Sequence, residues 1–142
     1  MLNDYSSYDS TAVEMMSPAT NSYGFTLTTA TQRFDTREFF FTPRQVGDSI
    51  VEMSLDLGDG ATFAIRYTLL PDSYLVRMDV LQNGMQAVIP STVASMDFSW
   101  KQKMPRNEAG RVFEERNSAL YYMFMDGDVE NLSENKSEAK EV

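Results

Sequence analysis

The sequence predicts an all-β fold: an antiparallel β-sandwich with one short helix. Three observations carry this. Apolar and polar residues alternate with a period of two along several segments, turn residues recur at the spacing of short strands, and only one stretch has a helical pattern.

In chain order, Tyr23 to Thr31 is rich in Thr and aromatic residues and reads as a strand. Glu38 to Thr42 is a short aromatic run, stopped by Pro43, and reads as another. Val51, Met53, Leu55 and Leu57 then alternate with Glu52, Ser54 and Asp56, which puts the apolar set on one face. Gly58-Asp59-Gly60 supplies a tight reversal, after which Phe63, Ile65, Tyr67 and Leu69 alternate with Thr62, Ala64, Arg66 and Thr68. A second turn at Pro71-Asp72-Ser73 leads into Tyr74, Val76, Met78 and Val80, ending at Asn83-Gly84. Met85 to Ile89 and the segment of Met96, Phe98 and Trp100 are predicted strands too, and Trp100 is expected in the core with its two phase partners.

The exception is Arg106 to Arg116, a predicted short helix after Pro105, with Val112 and Phe113 turned inward and Gly110 weakening it. Ser118 to Met125 returns to β-type residues, and Asp126-Gly127-Asp128 turns into a last segment ending near Leu132. The sum is roughly nine or ten strands. Residues 1–132 are expected to form one β-domain, and Ser133 to Val142, nearly all charged or small, a solvated polar tail.

Composition narrows the chemistry. Apolar residues make up 42% of the 142 residues and charged ones 23%, which suits a folded domain rather than a disordered chain. Apolar runs such as Phe39 to Phe41 are far shorter than the roughly 20 residues of a membrane-spanning helix. A formal charge of −9 repels phosphate backbones, so nucleic acid is not an expected partner. With no Cys and no His, disulfides, thiol nucleophiles and imidazole catalysis are all removed. No cofactor is expected.

Carboxylates are the remaining acid/base equipment. Asp97, near Trp100, is the most tempting, but it falls on the polar side of its strand, where a solvated carboxylate is the ordinary outcome. Asp56, Asp59, Asp126 and Asp128 surround glycines and suggest calcium by residue type, yet they lack EF-hand spacing, and Asp-Gly is common turn chemistry. The expectation is therefore no catalytic residue, no cofactor-binding residue and no metal ligand. Arg66, Arg77, Arg106, Arg111 and Arg116 are scattered among acids and form no phosphate-binding patch. Of the ten Met, Met53, Met78 and Met96 lie on the inward phase of strands and are expected in the core. Met15, Met16, Met123 and Met125 are open to a binding role. Asn131 and Asn135 match a glycosylation sequon by pattern only.

Several stretches resemble one family. Leu70-Pro71-Asp72-Ser73-Tyr74-Leu75-Val76 and Gly84-Met85-Gln86 to Ile89 are similar to the central part of the periplasmic domain of YidC membrane protein insertases of Gram-negative bacteria. Trp100 to Lys103, Glu108 to Glu114, Ser118 to Tyr122 and Asp128 to Glu134 follow in the same order. The resemblance implies a β-supersandwich of galactose-mutarotase type, carried between the first two transmembrane helices at the periplasmic face of the inner membrane. It also implies that the chain holds only part of that domain. The partners it implies are the Sec translocon and nascent membrane proteins, and the role it implies is accessory: docking partners or handling substrate segments.

Two other readings stand beside this. The mutarotase-like fold also hosts sugar-active enzymes, but such epimerases use His with a carboxylate, and His is absent. A carbohydrate- or peptide-binding module would use exposed aromatics such as Tyr5, Tyr8 and Tyr23. If the sandwich is incomplete, strands near Tyr23 to Thr31 and Ser118 to Met125 lack neighbours, and a homodimer through sheet edges or faces is expected.

Overall fold

Each reversal of the central meander contains residues at positive φ: Gly58 (+82°), Asp59 (+51°) and Gly60 (+76°), then Asp72 (+52°), then Gly84 (+62°). Gly tolerates this region without steric cost, and Asp tolerates it better than most residues. The structure, a computed structural model, describes residues 2–14, 16–132 and 137. Among these residues the strands are β1 (Leu2–Ser6), β2 (Ala12–Val13), β3 (Ser22–Thr28), β4 (Arg33–Asp35), β5 (Thr42–Gly47), β6 (Ile50–Asp56), β7 (Thr62–Leu69), β8 (Val76–Asn83), β9 (Asp97–Lys101), β10 (Leu120–Met123) and β11 (Val129–Leu132). The one α-helix among the described residues is α1 (Arg111–Asn117). All strand pairing among the described residues is antiparallel.

The chain forms two compact units, Asn21–Lys101 and the two ends, Met1–Thr20 with Gln102–Val142. In the central unit a three-stranded sheet of order β4-β3-β9 faces a four-stranded sheet of order β5-β6-β7-β8. Phe25 and Leu27 of the first sheet meet Phe63 and Ile65 of the second, with Ala61 and Met85 completing the buried cluster. This is the sandwich that the alternation predicted, with apolar phases turned toward each other. The outer face of the larger sheet is polar. There Arg44, Glu52, Arg66 and Asp79 stand directly opposite one another across four strands.

The unit formed by the two ends consists of the β1–β2 hairpin, the β10–β11 hairpin and α1. None of its described side chains is buried.

Several expectations need correction. Glu38 to Thr42 is not a strand. Thr36–Glu38 is a 3-10 helix capped by the Asp35 carboxylate, and β5 starts at Thr42 and runs through Pro43. An edge strand leaves one row of backbone groups unpaired, so it can accept a residue without an N–H. Met85 to Ile89 is also not a strand. Met85–Ala87 is a 3-10 helix after the left-handed Gly84, and it drops the Met85 side chain into the core. The predicted helix starts five residues late, because Gly110 costs helix stability and ends up as its N-cap. Val112 and Phe113 point outward, 61% and 69% exposed, while Glu114 is half-buried and accepts the Asn107 N–H at 2.7 Å. Trp100, expected in the core, is 61% exposed, and Met78 is 38% exposed. β1, β2 and β4 have no counterpart among the predicted strands. Apart from Ser137, the predicted tail lies outside the described residues.

Candidate functional site

Directly opposed residues in an antiparallel ladder point to the same face. Along β7 the inward set is Phe63, Ile65, Tyr67 and Leu69, and exposure climbs from 0% at Phe63 and 5% at Ile65 to 57% at Leu69, with Tyr67 half-buried between. β6 shows the same gradient: Leu55 is buried, Met53 half-buried and Val51 exposed. β8 repeats it from Val80 through Met78 to Val76. In the smaller sheet Leu27 and Phe25 are buried and Tyr23 half-buried, while their β9 neighbours Phe98 and Trp100 are exposed. The two sheets cover each other at one end only. At the other end an inward-phase apolar stripe is left open.

Where the covered half meets the open half, Tyr23 and Tyr67 join their hydroxyls and pack ring edge to ring face, centroids 6.4 Å apart. Burial and the bond to Tyr23 push the Tyr67 hydroxyl pKa up, so the Tyr67 phenol stays neutral at physiological pH. Beside them lies an open cavity of about 390 Å³, lined by Tyr23, Thr36, Arg37, Phe39, Phe41, Met53, Ile65 and Tyr67. Its upper wall is fixed. A Cβ on Gly24 would stand 2.6 Å from Cγ of Arg37 and 3.1 Å from Oγ1 of Thr36, so only glycine lets the 3-10 helix sit this close to β3. The buried Thr36 hydroxyl accepts the Phe25 N–H at 2.9 Å, and Arg37 is held by Asp35 through its guanidinium and its backbone N–H. Those bonds hold the Asp35 carboxyl at about 2.

The carboxylates singled out from the sequence are not brought together. Asp97 on β9 is exposed and pairs with Arg33 on β4, the opposite edge strand, across β3. Asp56 accepts the Gly58 N–H at 2.9 Å and Asp126 the Asp128 N–H at 3.2 Å, both as turn-forming side chains. Among the described residues no group of three or more acids is arranged to hold a metal ion. Arg66 lies on the Glu52 carboxylate, Arg77 on Asp79 and Arg111 on Glu115, while the Arg106 guanidinium sits 4.7 Å from the Tyr8 ring centroid. Tyr5 and Tyr8 are exposed, but Tyr23 is committed to Tyr67. Met96 packs against the core, Met53 is half-buried and lines the cavity instead, and Met16, Met123 and Met125 are exposed; Met15 and Asn135 lie outside the described residues. Sequence reasoning missed Phe39, Phe41 and Thr36 as a site wall. The aromatic run is the available signal, but its composition fits a strand as well as a wall.

Known proteins place this chain. It is 36% identical over 143 residues to the membrane protein insertase YidC of Parabacteroides distasonis, a match covering 99% of the chain and 23% of the relative. The chain belongs to the YidC family of membrane protein insertases. YidC of Porphyromonas gingivalis matches at 31% identity over 100% of the chain, and YidC of Phocaeicola vulgatus at 30% over 99%, again covering only 23% and 22% of the relatives. The chain thus corresponds to under a quarter of these YidC proteins, as the resemblance to part of one domain implied. No protein-family model matches it, and no solved structure matches it. Among the described residues of this YidC segment, no helix is long and apolar enough to cross a membrane.

Proposed function

We propose that the chain is a non-catalytic part of the periplasmic domain of a membrane protein insertase, at the periplasmic face of the inner membrane, where it assists insertion by docking partners or substrate segments. The observation that carries this is the match of nearly the whole chain to a stretch of YidC insertases. The aqueous character of the fold supports it: the outer face of the larger sheet carries an Arg44–Glu52–Arg66–Asp79 row suited to water. The accessory partners are the Sec translocon and nascent membrane proteins. The lack of His and Cys supports a non-enzymatic role, and neither epimerase nor glycosidase turnover is expected.

Site-directed labelling tests the location. Phe40 is 99% exposed, so a lone cysteine placed there in an otherwise cysteine-free full-length insertase should react with a membrane-impermeant maleimide in intact spheroplasts. Reaction only after lysis would overturn the periplasmic assignment. For the docking role, a photo-crosslinker at Trp100 should capture the ribosome-bound nascent chain of a single-span membrane protein. No adduct above that seen with a soluble nascent chain would count against it.

A further inference from the structure

The cavity between the sheets has an uncommon chemical profile. Six of its walls are apolar or aromatic: Tyr23, Phe39, Phe41, Met53, Ile65 and Tyr67. Among the described residues its single charged wall residue, Arg37, is neutralised by Asp35, and no carboxylate lines the space. An anion finds no free cation there, and a cation finds no free acid. The fitting occupant is uncharged.

One polar feature remains unspent. When two hydroxyls bond to each other, one hydrogen is used and the other is still available. Tyr23 and Tyr67 therefore present one spare O–H donor at the edge of an apolar hollow. Water can satisfy that donor while the open hollow is empty, so a guest that displaces the water must bring an acceptor next to an apolar group. A peptide unit with a Leu- or Phe-type side chain has that pairing of carbonyl and apolar group. A sugar lacks the apolar bulk, and an acyl chain lacks the adjacent acceptor. The guest also has a path. Trp100 is the direct register partner of Tyr23, and Phe98 contacts both Tyr23 and Phe25, so the open apolar stripe continues from the cavity along β9.

We propose that this cavity receives one apolar side chain of an extended, unfolded polypeptide, with the tyrosine pair donating its spare hydrogen to a neighbouring peptide carbonyl. This rests on the docking role above and assigns it a site and a ligand class.

The test uses the whole chain and three probes: N-acetyl-phenylalaninamide, toluene as its acceptor-free counterpart, and a Gly/Ser decapeptide with one central Phe. Side-chain NMR signals of Met53, Ile65 and Tyr67 should shift saturably with all three. In the double variant Tyr23→Phe/Tyr67→Phe both donors are gone and the rings remain. Its affinity for the amide and the peptide should drop about fivefold to tenfold, the loss of one hydrogen bond, with toluene unchanged. A single Tyr→Phe should lose much less, because the surviving hydroxyl is then free to donate. Met53→Trp should fill the hollow and weaken all three probes. If that variant fails to fold, the double Tyr variant still decides. Absent shifts at these residues, equal loss of toluene and amide, or binding to phosphatidylcholine vesicles in preference to the Phe peptide would overturn the assignment. Failed binding with external labelling of residue 40 intact would sink this inference alone, whereas inward labelling would sink the location and leave the cavity chemistry standing.

Discussion

Tyr23 on β3 and Trp100 on β9 are direct ladder partners with side chains on one face, yet the tyrosine is half-buried and the tryptophan 61% exposed. The boundary of the covered core therefore runs between two adjacent residues. Strand phase tells which side a residue faces, and the opposing sheet decides whether that side is covered.

This relationship sets a contrast in stability. Phe63 is 0% exposed and packs against Phe25 and Phe41, so Phe63→Ala should cost about 3–5 kcal/mol. Trp100→Ala should cost less than about 1 kcal/mol, as for other exposed positions. Urea unfolding followed by far-UV circular dichroism compares the two. A Trp100→Ala loss as large as that of Phe63→Ala would mean that the stripe is covered in solution.

The acid limb of stability should carry the mark of Glu52. Hydrogen bonds from Arg44 and then Arg66 hold its carboxyl below the ordinary value of 4.5, and Arg37 holds Asp35 at about 2 against 3.8. A folded-state pKa below the unfolded one gives stability that is present above the unfolded value and lost as pH falls through the folded one. The urea midpoint should thus be flat above about pH 5 and fall steadily from there toward pH 2. Glu52→Gln should shallow that fall. An unchanged slope would mean that the Arg44–Glu52–Arg66 contacts are lost in solution.

Backbone geometry makes its own prediction at Gly84. At φ +62° an added Cβ would lie 2.7 Å from the carbonyl oxygen of Gly60, a rigid backbone atom. Gly84→Ala should cost about 1–3 kcal/mol through strain at positive φ. Gly47, with nothing within 4 Å of a Cβ and no positive φ, should accept Ala with a change inside about 0.5 kcal/mol. Equal midpoints for the two variants would contradict the turn geometry.

Much of the fold was legible because period-two alternation and turn chemistry are local signals. The β6–β7–β8 meander, with its Gly58-Asp59-Gly60 and Asn83-Gly84 reversals, follows from them directly. Met85 to Ile89 and Glu38 to Thr42 differ from the expected strands because a short apolar run fits a strand and a core-directed 3-10 turn equally well, and only tertiary packing chooses between them. The weakly apolar β1, β2 and β4 gave no periodic signal at all. The cavity was illegible for a different reason: Gly24, Thr36 and Tyr67 come together only when two sheets meet.

The last prediction concerns the open stripe. Leu69, Val76, Met78 and Val51 on one sheet, with Phe98 and Trp100 on the other, leave inward-phase apolar side chains in water. β3, expected to lack neighbours, in fact lies between β4 and β9, and among the described residues it is the outer strands β5, β8, β4 and β9 that each have one edge without a strand partner. Exposed apolar faces and free edges both favour association with another chain. In the isolated chain the nearest available partner is a second copy, and the simplest closed arrangement is a two-fold dimer. Sedimentation velocity at tens of micromolar should therefore show self-association that weakens on dilution. Val76→Lys and Trp100→Lys, both at exposed sites, should restore the monomer without lowering the unfolding free energy by more than about 1 kcal/mol. A strictly monomeric wild-type chain at these concentrations would show that the open face is not sticky enough to recruit a copy of itself, and the dimer would have to be abandoned.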